Sequence, residues 1–201
     1  MKINYYELPA PHVVIDDFYT QDELKGVHSE LEFLSNSRNF EPPEKTHSAS
    51  KNGVLSKKNF GFFLDDIFAR RSASNILVYN RKIFDREFMS ALIPCHFVFK
   101  YLDISKKDCT LVSYYQDEDY YQPHFDSAML SVCVWLFKQP RRFSGGDFNL
   151  SDYNYKIPIE NNRCVIFPSV LKHSVDPIKM HDPNDVPFSC NGRYVITTFV
   201  G

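Results

Sequence analysis

Tyr121-Gln122-Pro123-His124-Phe125-Asp126 stands between two strand-like runs, Thr110–Tyr115 and Ser131–Phe137, and its reading decides how the chain folds. On an extended backbone, residues two apart point to the same side, so His124 and Asp126 can grip one ion while Phe125 packs the other way. A His-x-Asp triplet also arises by chance in a chain with seven histidines, and each member alone has an ordinary structural use. Its surroundings must discriminate. From His96 onward, short runs rich in β-branched and aromatic residues alternate with turns: His96–Leu102, Thr110–Tyr115, Ser131–Phe137, Asp147–Leu150, Lys156–Ile159, Arg163–Phe167 and Arg193–Val200. That density predicts a mainly β fold, a sandwich or jelly roll. An aromatic share of 15%, with 18 Phe and 12 Tyr, suits strands as well.

Before that region the pattern differs. Pro11–Phe18 reads as a short strand running into a turn. Thr20-Gln21-Asp22-Glu23 matches a capping box, ahead of Leu24, Val27, Leu31 and Leu34 at helical spacing, so a helix is expected over about 21–35. Residues 36–60 carry Pro42-Pro43 and Asn52-Gly53 without steady periodicity and read as a long loop of the kind that serves as a functional lid. Ile67, Ile76, Leu77, Ile83, Phe84, Phe88, Leu92 and Ile93 suggest further helices. The whole chain, 1–201, is expected to form one domain. Its helical part is about 1–95, packed on one sheet of a jelly-roll core at about 96–201.

Composition removes several function classes. The net charge is −2, with 23 basic and 25 acidic residues, and the pairs Lys57-Lys58, Arg70-Arg71, Lys106-Lys107 and Arg141-Arg142 are scattered. They read as solvated faces, and no nucleic-acid partner is expected. No run approaches the length of a membrane span, and Met1–Glu7 has no apolar leader, so a soluble, unprocessed protein without membrane association is expected. Five cysteines without Cys-x-x-Cys spacing point to reduced thiols and a cytoplasmic location.

A third ligand for the ion is available in His173, which follows Phe167-Pro168 at the end of another strand-like run. Two neutral imidazoles and one carboxylate leave three positions of an octahedral ion open, the facial arrangement of non-haem Fe(II) oxygenases.

Four ordered blocks then carry a resemblance: Tyr121–Asp126; Ser144-Gly145-Gly146-Asp147-Phe148; Val165-Ile166-Phe167-Pro168 running to His173-Ser174-Val175; and Gly192-Arg193-Tyr194-Val195-Ile196-Thr197. Over about 110–201 the chain resembles the 2-oxoglutarate/Fe(II) dioxygenase superfamily, above all its prolyl 4-hydroxylase-like branch, and the strand-turn-helix at 11–35 looks like the start of that domain. The resemblance implies a double-stranded β-helix. It implies Fe(II) held by His124, Asp126 and His173, with 2-oxoglutarate and O2 as cosubstrates and ascorbate as a further candidate.

Arg193 stands where such enzymes bind the distal carboxylate of 2-oxoglutarate, a role suited to a planar guanidinium. Thr197, four residues on, shares its strand face and can add a hydroxyl. The charges of Fe(II), Asp126, the 2-oxoglutarate dianion and Arg193 then cancel, as a buried site requires. Tyr115 and Tyr121 flank the motif and either contact the cosubstrate or pack as ordinary aromatics. Ser131, Cys133 and Trp135 share a face turned toward the pocket, with Trp135 near a position where relatives often place a 2-oxoglutarate-contacting tyrosine. Gly145-Gly146 serves backbone geometry. Arg193 is 20 residues beyond His173 where prolyl hydroxylases space the pair by about ten. Lys179–Asn191 therefore reads as an inserted loop near the site that shapes substrate choice.

The resemblance implies a hydroxylase that releases succinate and CO2. Asp126 fills the position that halogenating relatives leave open, and Phe199 occupies the place of a second arginine common in nucleic-acid demethylases. The expected substrate is a protein or peptide side chain, prolyl foremost. A free amino acid or other small metabolite is the alternative, and a non-catalytic β-sandwich binding module the second. A peptide calls for an open groove, a metabolite for a closed pocket with a second charged residue. His12, His28, His47, His96 and His181 fall outside the constellation.

Overall fold

Alternation of side chains along Arg193–Val200 sorts the molecule into two layers. Tyr194 and Ile196 turn toward a core shared with helices, while Val195 lies in a second core between two sheets. The computed structural model describes residues 1–35, 39–48, 50–51 and 53–201. Its larger antiparallel sheet has the order β1 (Lys2–Tyr6), β2 (His12–Asp16), β13 (Arg163–Pro168), β9 (Leu130–Leu136), β16 (Arg193–Val200), β7 (Asp108–Tyr115) and β6 (Phe60–Phe63). The smaller sheet runs β12 (Tyr155–Ile157), β11 (Phe148–Leu150), β14 (His173–Val175), β8 (Tyr120–His124) and β5 (Lys57–Lys58). Two short pairs complete the strands, β3 (Ser50–Lys51) with β4 (Val54–Leu55) and β10 (Phe143–Gly145) with β15 (Ile178–Met180). Trp135, Val165 and Phe167 of the larger sheet pack against Phe148, Leu150 and Val175 of the smaller one. This is the expected jelly roll.

The helices cover the outer face of the larger sheet. Helix α1 (Gln21–Leu34) begins at the capping box, with the Glu23 N–H donating to Thr20 Oγ1 at 3.3 Å and the Thr20 N–H donating to the Glu23 carboxylate at 2.8 Å. Its apolar stripe of Val27, Leu31 and Leu34 joins Ile76 and Leu77 of α3 (Asn75–Asn80; α2 is Leu64–Ile67) in the core against Val134 and Ile196. Buried Glu30 accepts from Ser74 Oγ at 2.5 Å and from the Ile76 N–H at 3.1 Å, tying α1 to the start of α3.

The expected elements shift in three places. His96–Leu102 is helical: a 3-10 turn at Phe97–Lys100 leads into α5 (Tyr101–Ile104), after α4 at Arg86–Leu92. His96 caps that turn by accepting the Val98 N–H, and Phe99 and Leu102, three residues apart, both face the helical core while Phe97 is exposed. Helical packing thus won over β propensity. Second, β1, β2, β5 and β6 all come from the first 95 residues, so that part supplies both sheets as well as helices. Third, within the stretch read as a loop, residues 36–38, 49 and 52 lie outside the described residues. The remainder contains a 3-10 turn at Pro43–Lys45 and the strands β3, β4 and β5.

Candidate metal centre

Strand register assembles the centre. His124 closes β8, His173 opens β14, and the two are directly paired across the smaller sheet, with ring centroids 4.2 Å apart. Asp126 lies in the turn after β8, fixed by its N–H donating to the Ser169 carbonyl at 3.2 Å. Each imidazole has Nδ1 2.9 Å from a carbonyl two residues earlier, that of Gln122 for His124 and that of Leu171 for His173. An acceptor at that distance places the ring proton on Nδ1 and leaves each Nε2 as a bare lone pair. Those Nε2 atoms converge on the Asp126 carboxylate, His124 at 3.6 Å and His173 at 3.4 Å. Burial, then the neighbouring His173, pushes the His124 pKa down to about 3, so its ring is neutral and ready to ligate at ordinary pH.

The donor set fits Fe(II). One ligand atom from each of His124, Asp126 and His173 lies within 4.8 Å of the others, and no further His, Cys, Asp or Glu joins the group among the described residues. A closed tetrahedral zinc site would need that fourth ligand. Asp126 is itself held: Ser131 Oγ donates to its Oδ2 at 2.5 Å and lies 2.8 Å from Ser169 Oγ.

A small inner pocket of about 50 Å³ adjoins the triad, and Tyr115, Tyr121, Cys133, Trp135 and Thr197 all line it. These five are therefore together, whereas Ser131, expected on the same face, meets Asp126 and Ser169 and does not line the pocket. Tyr121 stacks on His124 with centroids 3.4 Å apart, Trp135 is fully buried, and Thr197 Oγ1 lies 3.6 Å from Cys133 Sγ. Arg193 sits deeper. It shares a face with Val195 and Thr197, and Trp135, opposite Val195, stands at the level between Arg193 and Thr197. The guanidinium is fully buried. One nitrogen, Nη1, donates to the Gly146 carbonyl, its carbon lies 4.7 Å from the Tyr115 ring centre, and Nε and Nη2 have no hydrogen-bond partner among the described residues. Burial lowers its pKa to about 10, opposed by Tyr115, which leaves it cationic at neutral pH. Orphaned donors on a buried cation are costly, and a carboxylate would satisfy both charge and geometry, so Arg193 fits the distal end of 2-oxoglutarate. At Gly145, with φ +69°, a Cβ would fall 2.3 Å from the Pro177 carbonyl oxygen, so the glycine is needed for the backbone.

Toward solvent the triad opens into a cleft of about 530 Å³, walled by Thr46, His47, Ser48, Phe63, Phe125 and Phe199 among others. Thr46, His47, Ser48 and Lys57 of the segment read as a lid thus line the cleft. Phe125 does not pack away from the centre; it is more than half exposed at the cleft wall. The 179–191 segment behaves differently from expectation. Its Phe188 packs on Phe40 at 4.9 Å and Phe60 at 5.0 Å, in the helical core on the opposite face of the larger sheet, and the segment contributes no residue to the cleft.

Lys57 was not legible from the sequence, where Lys57-Lys58 reads as a solvated pair. Adjacent residues of a strand face opposite ways: Lys58 is exposed beside Glu118 at 3.7 Å, whereas Lys57 is buried and lines both inner pocket and cleft. Its Nζ donates to the Thr46 carbonyl at 2.8 Å and lies 5.3 Å from the Tyr121 ring centre. Burial lowers its pKa to about 8, with Asp126 pulling the other way.

Residues 109–201, which contain the triad and Arg193, match the family model described as the 2OG-Fe(II) oxygenase superfamily. Those residues form a 2OG-Fe(II) oxygenase domain, which makes the chain a dioxygenase enzyme, and that family uses Fe(II) as cofactor with 2-oxoglutarate and O2 as cosubstrates. Its fold is similar to that of a prolyl-4-hydroxylase from Pseudomonas putida, at 15% identity and a TM-score of 0.62, covering 94% of this chain and 91% of that one. A prolyl hydroxylase from Trichoplax adhaerens, solved with a hypoxia inducible factor peptide fragment, aligns at 14% identity and TM-score 0.61, covering 94% and 82%. The viral collagen prolyl hydroxylase of Paramecium Bursaria Chlorella virus-1, solved with 2-oxoglutarate, aligns at 14% identity and TM-score 0.54, covering 94% of each chain. At these identities the likeness is one of fold. No curated protein sequence matches the chain. Among the described residues no helix is long and apolar enough to cross a membrane.

Proposed function

We propose that the enzyme hydroxylates a side chain of a protein or peptide, prolyl foremost. The observation that carries this reading is the wide cleft of about 530 Å³ over the triad, room for a residue presented on a chain. The Trichoplax enzyme of like fold, solved with a peptide fragment, supports it. In this reading His124, Asp126 and His173 hold Fe(II), and Arg193 seats the distal carboxylate of 2-oxoglutarate with Thr197, Tyr115 and Trp135 along its length. When bound, Fe(II) with 2-oxoglutarate and O2 supplies the oxidising power for C–H hydroxylation, and succinate and CO2 leave. The chain's own work is positional. Ser131 fixes the orientation of Asp126, the carbonyls of Gln122 and Leu171 fix the imidazole tautomers, and Phe63, Phe125, Leu111 and Phe199 exclude water from the reacting C–H.

A metabolite substrate is the second reading, favoured by the buried charge of Lys57 in the pocket. The test is succinate formation from 2-oxoglutarate with Fe(II), with proline-containing peptides and free amino acids compared as stimulants. Peptide stimulation is expected, with His124→Ala inactive and Arg193→Met raising the KM for 2-oxoglutarate by about a hundredfold, the worth of a lost charge-assisted pair. Stimulation by free amino acids alone puts the metabolite reading first. Absence of both 2-oxoglutarate binding and turnover in the iron-loaded wild type leaves a binding module.

A further inference from the structure

We infer that Lys57 selects substrates that carry a carboxylate, by pairing with that carboxylate inside the cleft beside the C–H to be hydroxylated. The inference rests on the dioxygenase reading and extends it to the chemical class of the substrate.

A buried ammonium group needs an opposite charge or full hydrogen bonding. Lys57 is 4% exposed, yet its hydrogen bond goes to a neutral carbonyl, that of Thr46, and its ring contact is to Tyr121. Among the described residues, the acidic one in the walls around it is Asp126, whose carboxylate already faces Ser131 Oγ and both imidazoles. The rest of the cleft offers apolar surface from Phe63, Leu111, Phe125 and Phe199. Charge counting gives the same answer. Fe(II), Asp126, 2-oxoglutarate and Arg193 cancel, so Lys57 leaves one positive charge that a monoanionic substrate group would neutralise.

Position makes the charge selective. The backbone of Lys57 is paired with Tyr121 across β5 and β8, and the Tyr121 ring stacks on the ligand His124. The ammonium, 5.3 Å from the Tyr121 ring centre, is therefore separated from the ligand His124 by that one ring, where inner pocket and cleft meet, while Arg193 lines neither. A carboxylate on Lys57 places a neighbouring aliphatic carbon at the centre. Such a carboxylate can belong to an acidic side chain of a peptide or to a free carboxylic acid, and the two sources are separable.

The experiment is isothermal titration calorimetry of the full chain loaded anaerobically with Mn(II) and saturating 2-oxoglutarate. Two matched pairs serve as probes: hexanoate with hexanamide, and acetyl-Pro-Glu-amide with acetyl-Pro-Gln-amide. At least one acid is expected to bind about tenfold more tightly than its amide, in keeping with a charge-assisted pair. The preference should vanish in Lys57→Met and persist in Lys57→Arg, with circular dichroism verifying that both variants fold. Preference in the peptide pair assigns the carboxylate to a peptide, and preference in the hexanoate pair alone to a small acid. No acid preference in either pair overturns the inference. So does a preference that survives in Lys57→Met, which means direct metal ligation, or a loss of Mn(II) affinity in Lys57→Met with the acid preference intact, which means that Lys57 serves Asp126. A wild type that neither binds nor turns over 2-oxoglutarate overturns the dioxygenase reading itself, and the inference with it.

Discussion

Ser131 donates a hydroxyl hydrogen bond to Asp126 and meets Ser169 on its other side, a two-serine brace that orients the carboxylate before any ion arrives. Such supporting hydrogen bonds are worth about 10–100-fold in metal affinity. Ser131→Ala is therefore expected to weaken Mn(II) binding by about that factor while leaving secondary structure intact, as read by metal titration and circular dichroism; unchanged affinity would make the brace irrelevant. At this scale the sequence spoke where chemistry restricts residue type. Two imidazoles and a carboxylate at His124, Asp126 and His173, and a guanidinium at Arg193, form a set that few other patterns imitate. Lys57 was hidden because a lysine pair carries no sign of which member faces inward. That depends on β5 pairing with β8, a contact between segments more than sixty residues apart in sequence.

Among the elements, the turn joining β7 to β8 holds a buried carboxylate. Asp119 accepts the Gln116 N–H at 3.0 Å, and its own carbonyl accepts the Ile178 N–H at 3.0 Å, so it links the turn to β15. Burial raises its pKa to about 7, against the pull of the Gln116 N–H and of Lys58. The native state then keeps a proton between about pH 4 and 7 that the unfolded chain has lost, so this group's contribution to stability is greatest below about pH 4, declines as pH rises to 7 and is gone above it. Asp119→Asn keeps an acceptor for Gln116 and should flatten that part of the slope in urea unfolding of the metal-free protein between about pH 5 and 8. Equal slopes in the two proteins would refute it. Element boundaries were legible where local signals agree, as in the capping box of α1 and the full length of β16. They were not legible at His96–Leu102, whose β-branched and aromatic residues are used by a helical core.

Taken whole, the molecule has its candidate ligands on the smaller sheet and the turn after β8, Arg193 on the larger sheet, and part of the cleft wall on Thr46–Ser48, between β2 and β5. Binding of Mn(II) and 2-oxoglutarate should consequently stabilise the entire fold. At a hundredfold excess over Kd the gain is about 2.7 kcal/mol, which for a chain of this size is a rise of about 2–4 °C in Tm per kcal/mol. Thermal unfolding followed by circular dichroism checks this, and His124→Ala should lose the rise. The jelly roll and its covering helices were legible because alternation and helical periodicity are local. That the first 95 residues also supply strands to both sheets was not, since such pairings join residues far apart in the chain.

Trp135 is the chain's single tryptophan, and it is sealed into the wall of the inner pocket at the level between Arg193 and Thr197. All indole fluorescence of this protein thus originates beside the place where the cosubstrate is proposed to lie. Light emitted by the intact, unlabelled molecule is a direct optical gauge of that pocket, with no second indole to dilute the signal.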